Sequence, residues 1–562
     1  MGTFDIYFDA DAPEQIWAGQ LKTVEDINYY DVWTSFSSAE ANRGTEAVNA
    51  TVGEGGKADS LAVPHYTIRT KIKPPTEIDA EALMQMEVRQ GGERAVLFQL
   101  SRSLRITEVE ADGHPVEFIH NPEIEGTQLA RHGNDLVAVV FPQPLRTGQR
   151  LELRFIYGGA VLSEAGAGLL YVGARGTWYP NRGLAMSNFD LEFRYPAGWT
   201  LVATGQRAEN AGPQIGGEQV SRWVSQRPIP LAGFDLGKYQ RVVAHAGDVS
   251  VETYATSGME RGFPKPPIES LLPPPVIRGI PRRPSLTIAP LPPSPAKNAQ
   301  MVASTAAHAI EFFSRRYGPY PYSELKLAQM PGGLSQGWPG LIFLSSTSFL
   351  TAEEKSDLHM TPVEKTLISQ IIAHETAHQW WGDLVMWSGY RDQWLVEALA
   401  NYSSMMILES ENPAQFRAAM EKYRDDLLQK NKTGARLMED GPVTLGTRLS
   451  NSQFPEGYEA ISYGRGTWLF HMLRSMMRDA EGTGERARNA GQVDEPFVRV
   501  LRHIRERYEG KAITTPELLQ TFADELPASL RYERHKSLDW FYEGWVNGTA
   551  IPRFELRGVK YS

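Results

Sequence analysis

The segment that most constrains the fold of this chain is residues 361–402, because it combines two helical patterns with metal-ligating side chains. His374 and Glu375 are followed three residues later by His378, which gives the pattern H-E-x-x-H. On a helix, residues four apart lie on one face, so both imidazoles can point at the same place. Two neutral imidazoles in this arrangement can hold Zn²⁺, and the carboxylate of Glu375 beside them can handle protons.

The helix that carries this pattern has sequence signals at its start. Thr361 is the predicted N-cap, Pro362 takes the first helical position, and Glu364 completes a capping box. Apolar residues then recur at helical spacing and predict a buried stripe, formed by Leu367, Ile368, Ile371 and Ile372. The predicted end of the helix is Gly382.

A catalytic zinc site needs a third protein ligand, and Glu397 is the candidate. It follows His378 after eighteen intervening residues and lies in a second amphipathic helical segment, marked by Trp394, Leu395, Ala398 and Tyr402. The alternative is a helix whose two histidines are only capping or core residues. Burying two imidazoles and a carboxylate on an apolar helix is costly without a partner, which favours a site for one zinc ion per chain.

Composition limits the other classes of function. A chain of 562 residues exceeds what one hydrophobic core organises, so we expect two or three domains. The net charge of −10, without any run of Lys or Arg, argues against a nucleic-acid partner, and no apolar run is long enough for a membrane helix. The chain contains no cysteine, which excludes disulfides and thiolate metal sites. It also fits an exported protein, so an extracytoplasmic location after removal of a leader is favoured over a cytoplasmic one. The oligomeric state is not predicted.

The pattern of hydrophobic residues divides the chain. Alternation over Tyr66 to Ile72 and over Leu151 to Tyr157, with frequent turn signals, predicts an antiparallel β-sandwich-like domain. A proline-rich segment follows, which can form neither a helix nor a central strand. Helical spacing then dominates. The expected organisation is an N-terminal extension of uncertain packing at 1–60, a β-rich domain at 61–255, a proline-rich linker at 256–297, a catalytic domain at 298–550 and a C-terminal strand or tail at 551–562.

Several motifs resemble those of the gluzincin zinc metallopeptidases, the family of aminopeptidase N and leukotriene hydrolase. HETAHQWWGDLV is similar to the zinc helix of that family, and DQWLVEALANY is similar to its third-ligand helix. YGPYPYSELKL resembles the segment before its substrate-binding strand, and Tyr463-Gly464-Arg465-Gly466 resembles its Y-x-K-G motif with Arg in place of Lys. The resemblance implies an N-terminal β domain followed by a thermolysin-like α+β zinc-peptidase domain. It also implies zinc-dependent hydrolysis of peptide substrates, with Tyr463 as a second catalytic residue.

The chain departs from the family in the strand that reads the free amino terminus of the substrate. The family strand contains G-A-M-E-N, whose Glu pairs with the ammonium group. Alignment on Trp338 places Gln336 at that position, so the charge-assisted contact is lost. Gly332 and Gly333 would still let a substrate backbone approach the strand edge closely. Glu459 is a weak candidate for a replacement acid.

Two further departures concern the flanking domains. The F-P-x-F-D-x-P run that is usual in the family's β domain is replaced by Trp178-Tyr179-Pro180-Asn181. The 562 residues also contain no match to the large C-terminal helical domain that is common in the family, so we expect either a sequence cut short of that domain or a compact member with a more open cleft. Three functions therefore stay open: an aminopeptidase N-like metallopeptidase with altered amino-terminus recognition, a zinc endopeptidase or oligopeptidase of the same fold, and a non-catalytic scaffold. Intact His374, Glu375, His378, Glu397 and Tyr463 argue against the scaffold.

Overall fold

The computed structural model describes residues 4–8, 16–24, 27–36, 60–120, 135–173, 176–183, 185–208, 217–264, 292–480, 495–531 and 536–549. Outside these residues lie 37–59 of the predicted N-terminal extension, most of the predicted linker at 256–297 and the predicted tail at 551–562. The chain forms two compact units, and the domain boundaries expected from the sequence stay predictions. One unit comprises Asp59–His308 and Tyr322–Glu375, and the other comprises Met1–Ala58, Ala309–Pro321 and Thr376–Ser562.

The described part of the N-terminal extension is a three-stranded antiparallel sheet. Its strands are β1 (Asp5–Phe8), β2 (Ile16–Val24) and β3 (Ile27–Phe36). Asp31 on β3 accepts hydrogen bonds from the backbone N–H of Ser452 at 2.8 Å and from its hydroxyl at 2.6 Å. Trp17 on β2 lies under the guanidinium of Arg448, 4.9 Å from its ring centre. The extension is therefore packed on the segment that precedes Tyr463, within the same unit.

The β-rich region begins after the extension. Its strands are β4 (Leu61–Lys73), β5 (Glu77–Val88), β6 (Ala95–Gln99), β7 (Leu104–Ala111), β8 (His114–Pro115), β9 (Glu117–His120), β10 (Leu136–Val140), β11 (Arg150–Ala160), β12 (Leu162–Gly166), β13 (Leu169–Val172), β14 (Asn188–Pro196), β15 (Thr200–Ala203), β16 (Gln206–Arg207), β17 (Glu218–Val224), β18 (Phe234–Gly237), β19 (Gln240–Ala246) and β20 (Val249–Ala255). An eight-stranded sheet in the order β16-β17-β14-β4-β5-β11-β7-β8 is its largest layer.

Buried and exposed side chains alternate along the strands of this sheet, as expected when one face packs on a core. Tyr66, Ile68, Thr70 and Ile72 on β4 are buried, while Arg69 between them pairs with a carboxylate on the opposite face. The buried positions of β4, β5 and β11 join one hydrophobic core. The predicted antiparallel pairing is confirmed for most neighbours, but β14 runs parallel to β4. The sequence predicted an antiparallel β-sandwich-like domain here, and the structure confirms a region of β-sheets.

A smaller five-stranded sheet, in the order β19-β20-β21-β23-β22, follows in the same unit. Its later strands and the associated helices are α1 (Pro295–Tyr317), β21 (Glu324–Met330), β22 (Gln336–Trp338), β23 (Leu341–Ser345), a 3₁₀ turn (Ser346–Phe349), α2 (Ala352–Asp357) and α3 (Pro362–Ala377). The strand β21 is parallel to β20 and β23, whereas β22 is antiparallel to β23.

The remaining elements are mainly helical, as the sequence predicted. They are β24 (Val385–Trp387), α4 (Gln393–Glu411), α5 (Pro413–Leu427), 3₁₀ turns (Leu437–Glu439 and Val443–Leu449), a π-helical turn (Glu459–Arg465), α6 (Gly466–Ala480), α7 (Pro496–Tyr508), β25 (Lys511–Ile513), α8 (Thr515–Asp524), a 3₁₀ turn (Ala528–Leu530), α9 (Asp539–Phe541) and a second π-helical turn (Tyr542–Val546). The predicted α+β character of the second half of the chain is confirmed.

Candidate zinc site

The helix α3 starts as its sequence predicts. The Thr361 hydroxyl accepts a hydrogen bond from the N–H of Glu364 at 3.3 Å, and the Glu364 carboxylate accepts one from the N–H of Thr361 at 2.7 Å. This is a reciprocal capping box, with Pro362 at the first helical position. The predicted apolar stripe is only partly buried, since Ile372 is fully buried but Leu367 is not.

The end of α3 differs from the prediction. The last helical residue is Ala377 rather than a residue next to Gly382, and His378 lies in the turn that follows. The N–H groups of Trp380 and Trp381 both bond to the carbonyl of Ala377, which tightens the chain into that turn. Gly382 then has a φ of 125°, a region that favours glycine. The helix ends early because the two tryptophans turn inward and are completely buried.

This turn orients the imidazole of His378. Its Nδ1 lies 2.9 Å from the carbonyl oxygen of Trp381. A carbonyl only accepts hydrogen bonds, so Nδ1 carries the hydrogen, and in the neutral ring Nε2 presents its lone pair. A Cβ on Gly382 would lie 3.3 Å from the same Nδ1, so glycine also gives the imidazole room.

The third side chain of the site comes from α4, where Glu397 lies in the second turn. Its Oε2 is 3.5 Å from Nε2 of His378. His374, one turn earlier on α3, completes the group, and the three ligand atoms all lie within 4.8 Å of one another. His374 and the neighbouring Glu375 are 8% and 6% exposed. The structure therefore brings together the three predicted metal ligands.

The donor set fits a zinc ion. Nitrogen and oxygen ligands about 2.0–2.1 Å from a tetrahedral zinc lie about 3.4 Å from each other, close to the separation of the His378 and Glu397 atoms. A lone pair on Nε2 that faces a carboxylate oxygen is repulsive in a largely buried setting unless a cation lies between them. His374, His378 and Glu397 are the residues that would hold it.

The turn that carries Tyr463 packs directly on α4. Gly466, the last residue of the Tyr463-Gly464-Arg465-Gly466 motif, lies so close to Ala398 that an added Cβ would be 2.6 Å from the Ala398 Cβ. Tyr463 is half-buried on the π-helical turn, and its ring meets that of Tyr458 edge-on, with 6.0 Å between centroids. Burial, together with the charge of Glu397, raises the pKa of Tyr458. This turn is therefore adjacent to the helix of the third ligand.

Asn401 lies one turn after Glu397 on α4. Its amide donates a hydrogen bond to the Thr467 hydroxyl at 2.8 Å and another to the Tyr423 hydroxyl at 3.0 Å. Asn401 thus ties α4 to the start of α6, immediately after the Tyr463 turn.

The predicted substrate-binding residues lie at the edge of the five-stranded sheet. Gly332 and Gly333 are exposed, and a Cβ at either would meet nothing within 4 Å. Gln336 is also exposed and opens β22, paired with Phe343. The segment is open enough for a second chain to approach its backbone, and its role in substrate binding stays a prediction.

Two features of the site were missed in the sequence. One is the Trp381 carbonyl that orients His378, because a backbone acceptor leaves no signature. The other is Tyr458, whose ring meets that of Tyr463. Tyr458 precedes Tyr463 by five residues, which is close to one turn of a π-helix, and this spacing was the signal in the sequence.

An imidazole on a helix, a second imidazole in the turn that ends that helix, a carboxylate from the next helix and a buried glutamate beside them define the zinc metallopeptidases of the gluzincin type. Residues 302–485 match the Peptidase family M1 domain. The chain therefore carries a peptidase family M1 domain, and its predicted place in the aminopeptidase N family of gluzincins is confirmed. Zn²⁺ is the metal of this class.

Known proteins support this assignment. The chain is 27% identical over 174 residues to "Aminopeptidase 2" of Candida albicans, which covers 30% of this chain and 18% of that protein. It is 28% identical over 164 residues to "Endoplasmic reticulum aminopeptidase 2" of Bos taurus, covering 28% and 16%. It is 28% identical over 182 residues to "Aminopeptidase N" of Canis lupus familiaris, covering 30% and 17%. The chain thus matches less than a quarter of the length of these relatives.

Solved structures resemble the fold over most of the chain. The M1 zinc metallopeptidase from Deinococcus radiodurans aligns with a TM-score of 0.59 at 19% identity, covering 88% of this chain and 96% of that one. A mutant of that protein bound to a Tyr-Ser-Ala substrate aligns with a TM-score of 0.58 at 19% identity and the same coverage. At this identity the likeness establishes the fold. Among the described residues, no helix combines the length and apolar character needed to cross a membrane.

Proposed function

We propose that this chain is a zinc-dependent, aminopeptidase N-like peptidase that hydrolyses peptides, with altered recognition of the substrate amino terminus. The observation that carries the proposal is the convergence of His374, His378 and Glu397 within 4.8 Å, with Glu375 next to His374. A protein that only binds peptides has no need of a buried carboxylate beside a metal site. Peptide substrates also fit the family M1 match over 302–485.

His374, His378 and Glu397 would hold the zinc ion, and three protein ligands are typical of catalytic rather than structural zinc sites. When bound, zinc supplies Lewis-acid chemistry, which polarises a peptide carbonyl and lets water react near neutral pH. The remaining steps belong to the side chains of the protein.

Glu375 is the proposed general base. One residue after His374, it lies on the same helical turn and is 6% exposed, so its carboxylate is shielded from bulk water. Its carboxylate takes the proton of the attacking water and then delivers it to the nitrogen of the leaving amine as the peptide bond breaks. Base and acid are thus the same group, and the proton is returned within one turnover.

Tyr463 is the proposed oxyanion donor. Its phenol O–H can donate to the carbonyl oxygen as negative charge develops there, an interaction that is strongest in the transition state. Support comes from the packing of its turn on α4 through Gly466 and Ala398. This packing fixes the backbone of the tyrosine relative to the helix that carries Glu397.

Substrate binding is proposed at the strand edge of Gly332, Gly333 and Gln336. An extended peptide can add to such an edge through backbone hydrogen bonds. Gln336 accepts a hydrogen bond from a free amine but lacks the charge that would select it. Glu459 is exposed, and its weak candidacy as the replacement acid stays a prediction.

The neutral Gln336 also favours the second candidate, a zinc endopeptidase or oligopeptidase of the same fold. Without a charged anchor, a substrate chain is less strongly held with its amino terminus at the site. The deciding experiment is to map the bonds that the zinc-loaded protein cleaves in a peptide library. Release of single amino-terminal residues supports the aminopeptidase, internal cuts support the alternative, and no chelator-sensitive cleavage would leave a scaffold.

A further inference from the structure

The segment between β21 and β22 carries the proposed substrate-binding glycines but is held by no strand pairing of its own. The pairing of β21 with β23 ends at Met330, and that of β22 with β23 begins at Gln336. Gly332 has a φ of 97°. The backbone of this segment, residues 331–335, therefore depends on side chains for its conformation.

Glu260 supplies one of these holds. Its Oε1 accepts a hydrogen bond from the Gly332 N–H at 3.1 Å, although it precedes Gly332 by 72 residues. Its Oε2 accepts a hydrogen bond from the Ser346 hydroxyl at 2.6 Å. The carbonyl of Gly332 is bound as well, since it accepts a hydrogen bond from the Ser345 hydroxyl at 2.6 Å. Both backbone groups of Gly332 are thus bound by side chains, and one of these bonds involves a carboxylate.

The partner of Glu260 belongs to a buried network. Ser346 accepts a hydrogen bond from the Gln329 amide at 2.9 Å, and the Gln329 oxygen accepts one from the Thr256 N–H at 2.9 Å. Ser346, Gln329 and Thr256 are 0% exposed. Glu260 itself is half-buried. The buried network therefore anchors Oε2 of Glu260 through Ser346, while Oε1 of Glu260 holds the exposed backbone of Gly332.

We propose that Glu260 is a positioning residue that holds the backbone of residues 331–335 in the conformation that receives the peptide substrate. This inference rests on the proposed function. Glu260 acts through Gly332, so its loss should disorder the binding edge without altering the metal ligands. Substrate would then have to order the segment on binding, which raises KM and leaves kcat nearly unchanged.

The test compares Glu260→Ala, Glu260→Gln and the control Glu164→Ala. Glu164 pairs with Arg261, the neighbour of Glu260, at 3.3 Å, so the control removes a nearby carboxylate and leaves Gly332 untouched. Losing a charge-assisted hydrogen bond corresponds to a rise in KM of about tenfold for Glu260→Ala. Glu260→Gln should lie between this variant and the wild type, because its amide oxygen can still accept from Gly332. All three variants should keep the zinc content and the kcat of the wild type. The control Glu164→Ala should also keep the wild-type KM.

Hydrogen exchange provides a readout independent of activity. The amide of Gly332 should exchange faster in Glu260→Ala than in wild type, by about tenfold, while amides of β21 remain unchanged. Unchanged exchange at Gly332, or a loss of kcat with unchanged KM, would overturn the proposal. If the wild type binds no zinc and cleaves nothing, the proposed function fails, and the exchange result still decides whether Glu260 holds the segment.

Discussion

Gly466 and Ala398 are in such close contact that a methyl group added to Gly466 would lie 2.6 Å from the Cβ of Ala398. Ala398 is the neighbour of the zinc ligand candidate Glu397, and Gly466 ends the motif that begins at Tyr463. This contact fixes the spacing between the helix of the third ligand and the turn of the proposed oxyanion donor. Glycine suits position 466 because the backbone of each residue belongs to a helix, so a Cβ added there could be accommodated only if one helix moved.

Replacing Gly466 by Ala tests this contact. We expect overpacking to lower the free energy of unfolding by about 1–3 kcal/mol and to lower kcat, because α4 and the Tyr463 turn must separate. Urea unfolding and steady-state kinetics would measure both. The matched control is Gly464→Ala, whose new Cβ would lie 3.5 Å from Tyr423, an ordinary contact. Equal stability of the two variants would show that the packing is not tight.

Replacing Tyr463 by Phe removes only the phenol hydroxyl. We expect kcat to fall roughly 100- to 1,000-fold, with zinc content and KM near wild type, because the lost hydrogen bond acts mainly in the transition state. Tyr171→Phe, at a partly exposed position of β13, serves as the control. A variant of Tyr463 with normal kcat would assign oxyanion stabilisation to another group.

Replacing Gln336 by Glu restores a charge at the position that reads the substrate amine. The wild type should cleave a free and an N-acetylated version of one peptide with similar kcat/KM, whereas the variant should favour the free amine by about tenfold, through a charge-assisted hydrogen bond. Parallel assays of the two peptides measure the ratio. A strong preference for the free amine in the wild type would reveal another acid at the site.

A pH-dependent stability is expected from Asp440. Burial and the nearby charge of Asp31 raise the pKa of this carboxyl to about 6, against a hydrogen bond from Asn451 that lowers it. Among the described residues, its Oδ2 has no hydrogen-bond partner. The folded state holds the proton more tightly than the unfolded state, so this contribution to stability is present at pH 4 and is lost as pH rises through 6.

The variant Asp440→Asn should remove this dependence. Its amide keeps an acceptor for Asn451 but carries no charge, so the free energy of unfolding at pH 8 should rise by on the order of 1 kcal/mol, after allowance for partial exposure. At pH 4 the variant and wild type should agree. Denaturant unfolding at the two pH values checks this, with the exposed Asp357→Asn as a control. A stability gain that is equal at both pH values would exclude titration as the cause.

The sequence predicted the ligand set because its chemistry is local. His374 and His378 are one helical turn apart, and the capping box of Thr361 and Glu364 spans a single turn. The prediction that α3 ends at Gly382 was wrong, because the burial of Trp380 and Trp381, a tertiary effect, turns the chain at Ala377.

Contacts between distant segments were beyond sequence reasoning. Asp31 meets Ser452 across 421 residues, and Glu260 meets Gly332 across 72. Neither carboxylate lies in a recognisable motif, and its role depends on which backbone N–H the fold places beside it. Asn401 shows the same limit, since it lies one turn after Glu397 on α4 but donates hydrogen bonds to Thr467 on α6 and to Tyr423 on α5.

We propose that His374, His378 and Glu397 hold one zinc ion that serves the base Glu375. The most direct measurement is the zinc content per chain of reconstituted and desalted wild type, Glu397→Ala and Glu375→Gln, each assayed for peptide cleavage. We predict one zinc in the wild type and in Glu375→Gln, little in Glu397→Ala, and turnover lowered by several orders of magnitude in both variants. A wild type without zinc, or a Glu375→Gln protein with normal turnover, would contradict the account.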